Sequence, residues 1–211
     1  MRRMFVLLLL AGCAQTGQER LAELTTDGVH LYRQGAYRDA RETFRAALAL
    51  RPNDPDLLFD LARCDEKMGN QGEADKGYQE CIRNAPNHAE ARHAVVARLV
   101  ATGRRDEASR LVSEWMRASP KLAAPYIEDG WLYAQDRDLD TAWSRYQQAY
   151  TVDPRNPRLL AEMAAIHELR DRADRAFVLY ERSLETDPDQ PAIRAKLEEL
   201  RAKGVNRPHP D

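Results

Sequence analysis

Apolar positions along this chain recur on two scales. Locally they return every three to four residues, the spacing that lines one face of a helix. Ala40, Ala74, Ala108, Ala142 and Ala176 are each followed four residues later by a core-type residue: Phe44, Tyr78, Val112, Tyr146 and Tyr180. Three residues further come Ala47, Cys81, Trp115, Ala149 and Ser183. An i, i+4, i+7 set of this kind is one buried helical stripe. On the larger scale the whole pattern returns every 34 residues, marked by Pro52, Pro86, Pro120, Pro154 and Pro188. Five paired helices are therefore predicted, in blocks 21–54, 55–88, 89–122, 123–156 and 157–190. A last amphipathic helix over 191–203, with Ile193, Leu197 and Leu200 on one face, is expected to cap the fifth block, and 204–211 to form a disordered tail.

Local signals mark the element ends. Gly35, Gly69 and Gly103 stand between the helices of their pairs, where a left-handed backbone is easiest for glycine. Arg137 and Asp171 take that place in the last two blocks, so those turns are expected to be strained or differently shaped. The periodic prolines keep the second helices from running on. Asp54-Pro55 and Asn156-Pro157 read as an N-cap followed by proline at the first helical position.

A 34-residue period with these residue types resembles the tetratricopeptide repeat. Such a helix pair cannot bury its apolar faces alone, so neighbours stack. The resemblance implies an all-α protein: a right-handed α-solenoid of five helix–turn–helix units plus a C-terminal capping helix. It also implies a concave groove lined by the first helices. Carried over position by position, the groove holds Thr25, Val29 and Tyr32, then Phe59, Arg63 and Glu66, then His93, Ala97 and Val100. Ile127, Trp131 and Gln135 follow, then Ala161, Ala165 and Glu168. Tyr32, Phe59, Arg63, His93, Ile127 and Trp131 are the strongest binding candidates, since Tyr, Trp and Arg are enriched at hot spots. Each of them has an alternative role, packing between adjacent first helices. The Lys and Asn clamp by which some members grip a terminal carboxylate is absent. The partner implied is a protein or peptide segment with apolar anchors; self-association through repeat edges stays open.

Three departures from the pattern carry expectations. Trp115 stands where a small residue belongs, and it either fills space left by Gly130 of the next block or is exposed to a partner. Asp65 takes a usually apolar position, where it pairs with Arg92 of the next block or is partly exposed. Cys64 and Cys81 are inert core thiols or, in an oxidising compartment, a disulfide.

The N-terminus has a different pattern. Arg2-Arg3 precede the apolar run Met4 to Leu10, then Ala11-Gly12-Cys13. A basic start, a short apolar run and small residues describe a secretory signal. Leu10-Ala11-Gly12-Cys13 resembles the bacterial lipobox, which implies a signal peptide over 1–12, lipidation of Cys13 and a short tether over 13–20. Ala14 after the cysteine, by family analogy, implies an outer-membrane anchor facing the periplasm. Lipobox and repeats together resemble the architecture of type IV pilus pilotins and Tad-type (Flp) pilus assembly lipoproteins. The function so implied is an envelope adaptor that helps assemble or localise a pilus or secretion complex. Adaptors for periplasmic proteases or cell-wall enzymes, and a spacer without a client, are the alternatives.

Composition narrows the rest. Lys and Arg number 32 against 34 Asp and Glu, a net charge of −2, and the signs alternate along the chain. Nucleic acid would need a basic face, so none is expected as a partner. His30, His88, His93, His167 and His209 form no i, i+4 metal pair, and His167-Glu168 lacks the second ligand of a zinc-protease motif because Asp171 stands there. No phosphate loop or nucleophile elbow occurs. No catalytic residue, metal or cofactor is expected.

Overall fold

The computed structural model describes residues 2–205, of which 2–15 by their backbone alone. The described residues form helices and no strands: α1 (Arg2–Arg33), α2 (Tyr37–Leu50), α3 (Pro55–Lys67), α4 (Gln71–Asn84), α5 (Ala89–Ala101), α6 (Arg105–Ala118), α7 (Ala124–Gln135), α8 (Leu139–Val152), α9 (Pro157–Leu169), α10 (Ala173–Thr186) and α11 (Pro191–Ala202). The chain divides into two compact units, Met1–Arg98 and Leu99–Asp211. In the first, α1 packs on α2, α2 on α3 and α3 on α4. In the second, α6 packs on α7, α7 on α8, α8 on α9, α9 on α10 and α10 on α11.

Helix starts follow from capping chemistry. The Asp54 carboxylate accepts from the Asp56 and Leu57 N–H groups, and Pro55 sits at the first helical position, where its missing N–H costs nothing. Asn156 and Pro157 repeat this device on α9, with Leu159 N–H as donor. Asp138 caps α8 through the Thr141 N–H.

The turn inside each pair is the same in all five blocks. Position 15, counting each block from its first residue, has positive φ: Gly35 at 79°, Gly69 at 81°, Gly103 at 76°, Arg137 at 62° and Asp171 at 56°. The next N–H returns to the carbonyl of position 11, as in Ala36 to Leu31 (3.0 Å), Asp138 to Tyr133 (3.0 Å) and Arg172 to His167 (2.9 Å). This is a Schellman closure. The turns at Arg137 and Asp171 thus keep the shape of the others; tertiary packing holds two side-chain-bearing residues in a conformation that costs them about 1–2 kcal/mol each.

Positions 8 and 24 share one space within a repeat. A Cβ on Gly28 would lie 2.6 Å from the Phe44 ring, and one on Gly130 would lie 2.5 Å from Tyr146. Glycine at 8 therefore admits a large ring at 24. At Gly130 the ring that comes nearest is that of Tyr146 from its own repeat, a neighbour the expectation did not name. Trp115 is 1% exposed, so it is a core residue and not a surface anchor.

Asp65 is 4% exposed. Its carboxylate accepts from Arg41 Nε at 2.7 Å and from the Asn70 amide at 3.1 Å. Arg92 instead donates to the Pro86 carbonyl of the preceding loop. The pairing expected between Asp65 and Arg92 is replaced by one with the helix on the other side, because position 11 faces the preceding block.

Cys64 and Cys81 are free and buried, and they belong to different clusters: Cys64 packs with Phe44 and Leu57, Cys81 with Tyr78 and Ala91. Burial pushes both thiols up to about 12, which makes them inert. At the N-terminus, the backbone is helical without a break from Arg2 to Arg33. Cys13 falls on that helix, but its side chain lies outside the described residues, as does the tail from 206 onward. No helix of the described residues is long and apolar enough to cross a membrane.

Candidate functional site

In the first unit, three of the groove candidates converge. The Arg63 guanidinium lies over the Tyr32 ring, 4.2 Å from its centroid, and 5.4 Å from that of Phe59. α1 supplies Tyr32 and α3 supplies Phe59 and Arg63, one helical turn apart, so the cluster joins two successive first helices. Arg63 also pairs with Asp60 at 3.2 Å. Burial raises the Asp60 carboxyl above its usual range, against the opposing pull of Arg63. All three candidates are half-buried. Their outer edges stay open while their inner faces are fixed by packing, the condition for an anchor that needs little ordering on binding.

A second layer fixes the rings. Phe59 stacks at a tilt on Tyr78 (5.8 Å between centroids) and on His88 (4.9 Å). Tyr32 meets Tyr37 edge-on at 5.2 Å. The Tyr78 hydroxyl donates to Glu66 at 2.5 Å, which ties the groove position Glu66 to the second helix. His88 is a participant that the spacing missed. It closes its block as a loop residue, and its Nδ1 accepts from the Ala91 N–H at 3.2 Å. Only its place just before a helix start hinted at that capping role. His93 is half-buried on α5.

Comparison with known proteins bears on this geometry. A family profile for the tetratricopeptide repeat matches residues 31–99, the stretch that holds Tyr32, Phe59 and Arg63. A tetratricopeptide protein of Thermus thermophilus superposes with a TM-score of 0.62 at 24% identity, covering 86% of this chain and 99% of that one. The fold is an α-solenoid of tetratricopeptide repeats. The structure of pilF of Pseudomonas aeruginosa shares that fold, with a TM-score of 0.54 at 15% identity over 89% of this chain and 91% of that one. Among curated proteins, cellulose synthase operon protein C of Pseudomonas fluorescens (strain SBW25) is 29% identical over 168 residues, 75% of this chain. Protein O-mannosyl-transferase TMTC1 of Homo sapiens is 23% identical over 177 residues, 82% of this chain. The chain spans only 13% and 20% of the lengths of these two relatives.

The tetratricopeptide groove positions behave differently in the second unit. Ile127 is 2% exposed and sits in the core with Leu159 and Met163 of the next first helix. It presents nothing to a groove. The reason is that α7 is held from both sides. Gly130 admits Tyr146 from α8, and Arg158 of α9 reaches Glu128 at 2.7 Å. Ile127, Glu128, Asp129 and Gly130 are all buried as a result. Asp129 pairs with Arg145 at 2.7 Å, and burial pushes its carboxyl up. Trp131, on the same helix, is half-buried. Glu168 accepts from the Tyr180 hydroxyl at 2.6 Å, the same bond that Tyr78 makes to Glu66 one unit earlier.

Proposed function

We propose that this protein is a membrane-anchored, protein-binding tetratricopeptide scaffold of the bacterial envelope, which aids assembly or localisation of a pilus or secretion complex. The Tyr32–Phe59–Arg63 cluster carries the reading. A guanidinium stacked on Tyr32 and close to Phe59 keeps, beyond the donor given to Asp60, further planar donors for a partner's carboxylate or carbonyl, and the rings offer apolar anchoring beside it. An extended or helical peptide with one apolar and one acidic residue suits that set. Lipidation at Cys13 would supply the anchor, since the lipobox residues precede it. The match to cellulose synthase operon protein C favours a second reading, in which the client serves polysaccharide synthesis.

The test is crosslinking of the intact lipoprotein in envelope membranes, comparing wild type with the triple variant Tyr32→Ala, Phe59→Ala, Arg63→Ala, checked for folding by circular dichroism. A crosslinked protein lost only in the variant names the client. Identical crosslinks with a folded variant sink the groove. Radiolabelled palmitate incorporation, abolished by Cys13→Ala, is the matching test of the anchor.

A further inference from the structure

Tyr78 is not a groove position. It lies on α4, the second helix of its repeat, and is 3% exposed. Its side chain nevertheless meets two groove positions on α3. The ring stacks on Phe59, and the hydroxyl donates to the Glu66 carboxylate at 2.5 Å. A bond from a hydroxyl to a carboxylate is among the strong ones. Burial, and after it the bond to Glu66, push the phenol well above its usual range, so the hydroxyl stays a donor.

This bond decides where Glu66 points. Arg63 and Glu66 stand three residues apart on α3, a spacing at which opposite charges on a helix pair. Here each is engaged elsewhere. The Arg63 guanidinium stacks on Tyr32 at 4.2 Å and gives one donor to Asp60 at 3.2 Å, while the Glu66 carboxylate is held by Tyr78.

The repeat register sets this block apart. Tyrosine at position 24 with glutamate at position 12 occurs in repeats 2 and 5, as Tyr78–Glu66 and Tyr180–Glu168. Position 9 is Arg63 in repeat 2 but Ala165 in repeat 5, where Glu168 has Lys196 of α11 at 3.6 Å. In repeat 4 position 12 is Ala134, and the Tyr146 hydroxyl reaches Glu162 of the next block at 3.3 Å. Repeat 2 is thus the block in which the tyrosine bond controls a carboxylate beside a groove arginine.

We infer that Tyr78 is a positioning residue that sets the charge selectivity of the groove. By holding Glu66 it keeps a competing carboxylate off Arg63, so that Arg63 selects clients presenting a carboxylate or carbonyl acceptor. The inference rests on the groove reading given above. Without the phenol hydroxyl, Glu66 loses its partner, and Arg63 is the cation one turn away on the same helix. An i, i+3 ion pair of this kind shifts an equilibrium about twofold.

The test is modification of the intact chain by phenylglyoxal, which attacks guanidinium groups, with Arg63 read by peptide mass spectrometry against exposed Arg45 in the same digest. Tyr78→Phe keeps the ring on Phe59 and should slow Arg63 about twofold. Adding Glu66→Gln should return Arg63 to the wild-type rate, although the thermal midpoint stays lowered by the lost bond. A merely structural tyrosine would move rate and midpoint together. Tyr180→Phe removes the matching hydroxyl of repeat 5 and should leave the Arg63 rate as it was. An unchanged rate in Tyr78→Phe, no recovery in the double variant, or equal slowing in Tyr180→Phe would each overturn the inference, whatever crosslinks form. The envelope crosslinking described above, run on the same variants, separates this failure from that of the groove. Client yield that falls in Tyr78→Phe and recovers in the double variant supports both readings. Unchanged yield beside the expected labelling overturns the selectivity and the groove together.

Discussion

The same two repeat positions are filled in opposite ways in the two units. Position 21 of one repeat meets position 11 of the next. In the first unit these are Arg41 and Asp65, an ion pair at 2.7 Å whose carboxylate also takes the Asn70 amide. In the second they are Trp143 and His167, two rings 5.0 Å apart with one nitrogen unpartnered and a cavity alongside. A seam closed by charge satisfies its polar groups and leaves no vacancy. A seam closed by rings packs well but leaves both a polar atom and a space to be filled. The fold tolerates either, so the choice reports on what a seam is used for and not on what the repeat needs.

The comparison can be broken most severely at Asp65. Asp65→Ala takes the acceptor from Arg41 Nε and from the Asn70 amide, leaving Arg41 only the exposed Glu42 at 3.2 Å, and should cost about 2–3 kcal/mol in urea unfolding. A loss under about 0.5 kcal/mol would show that the ion pair does not hold the seam. Grafting one seam onto the other is the next test. Trp143→Arg together with His167→Asp should be less harmful than the two single changes summed, by about 1–2 kcal/mol. Strict additivity would mean that the positions do not meet as described.

His167→Phe should raise stability by about 1 kcal/mol, because it removes a buried unsatisfied nitrogen while keeping a ring against Trp143. It should also change the response to acid. The folded His167 has a lowered pKa, so below the ordinary value of about 6.5 the unfolded chain takes up the proton first. Stability is therefore lost as pH falls from about 7 to 5. Thermal melts across that range should show a smaller loss in the variant than in the wild type, and parallel curves would remove His167 as the cause.

Smaller again is Arg137→Gly, where φ is 62°. Relief of the left-handed strain should add about 0.5–1 kcal/mol, and a decrease would mean that the arginine side chain contributes more than its backbone strain takes away. The smallest effect is at the thiols. With Cys64 and Cys81 pushed up to about 12, maleimide labelling at pH 7 should track global unfolding in both. Fast labelling of either one in the native protein would contradict its burial.

Much of this was legible in the sequence because a repeat writes its own register. The 34-residue period located the turn at Gly35, Gly69 and Gly103, and the same register explains why Arg137 and Asp171 adopt positive φ as well. Spacing says which way a position faces but not which neighbour arrives there. Gly130 was readable as a vacancy, yet the occupant was the Tyr146 ring from the same repeat. Asp65 was readable as an anomaly, yet its partner came from the preceding helix. Ile127 followed the groove rule, and its burial depended on Glu128, two helices and an arginine thirty residues on. The Tyr32, Phe59 and Arg63 positions came from the family register; their stacking is a matter of side-chain geometry that no period encodes.

The exchange of volume between positions 8 and 24 is completed inside a single repeat, as with Gly28 and Phe44. The bond between Arg41 and Asp65 crosses from one repeat to the next. These two kinds of complementarity are inherited differently. A gene segment duplicated as a whole 34-residue block carries its glycine and its ring together, and the copy arrives already matched. A block inserted between the first and second repeats would separate an aspartate from its arginine and leave both to find new companions. Substitutions at 8 and 24 should accordingly track each other within a lineage, whereas the boundary between repeats 1 and 2 should resist insertion.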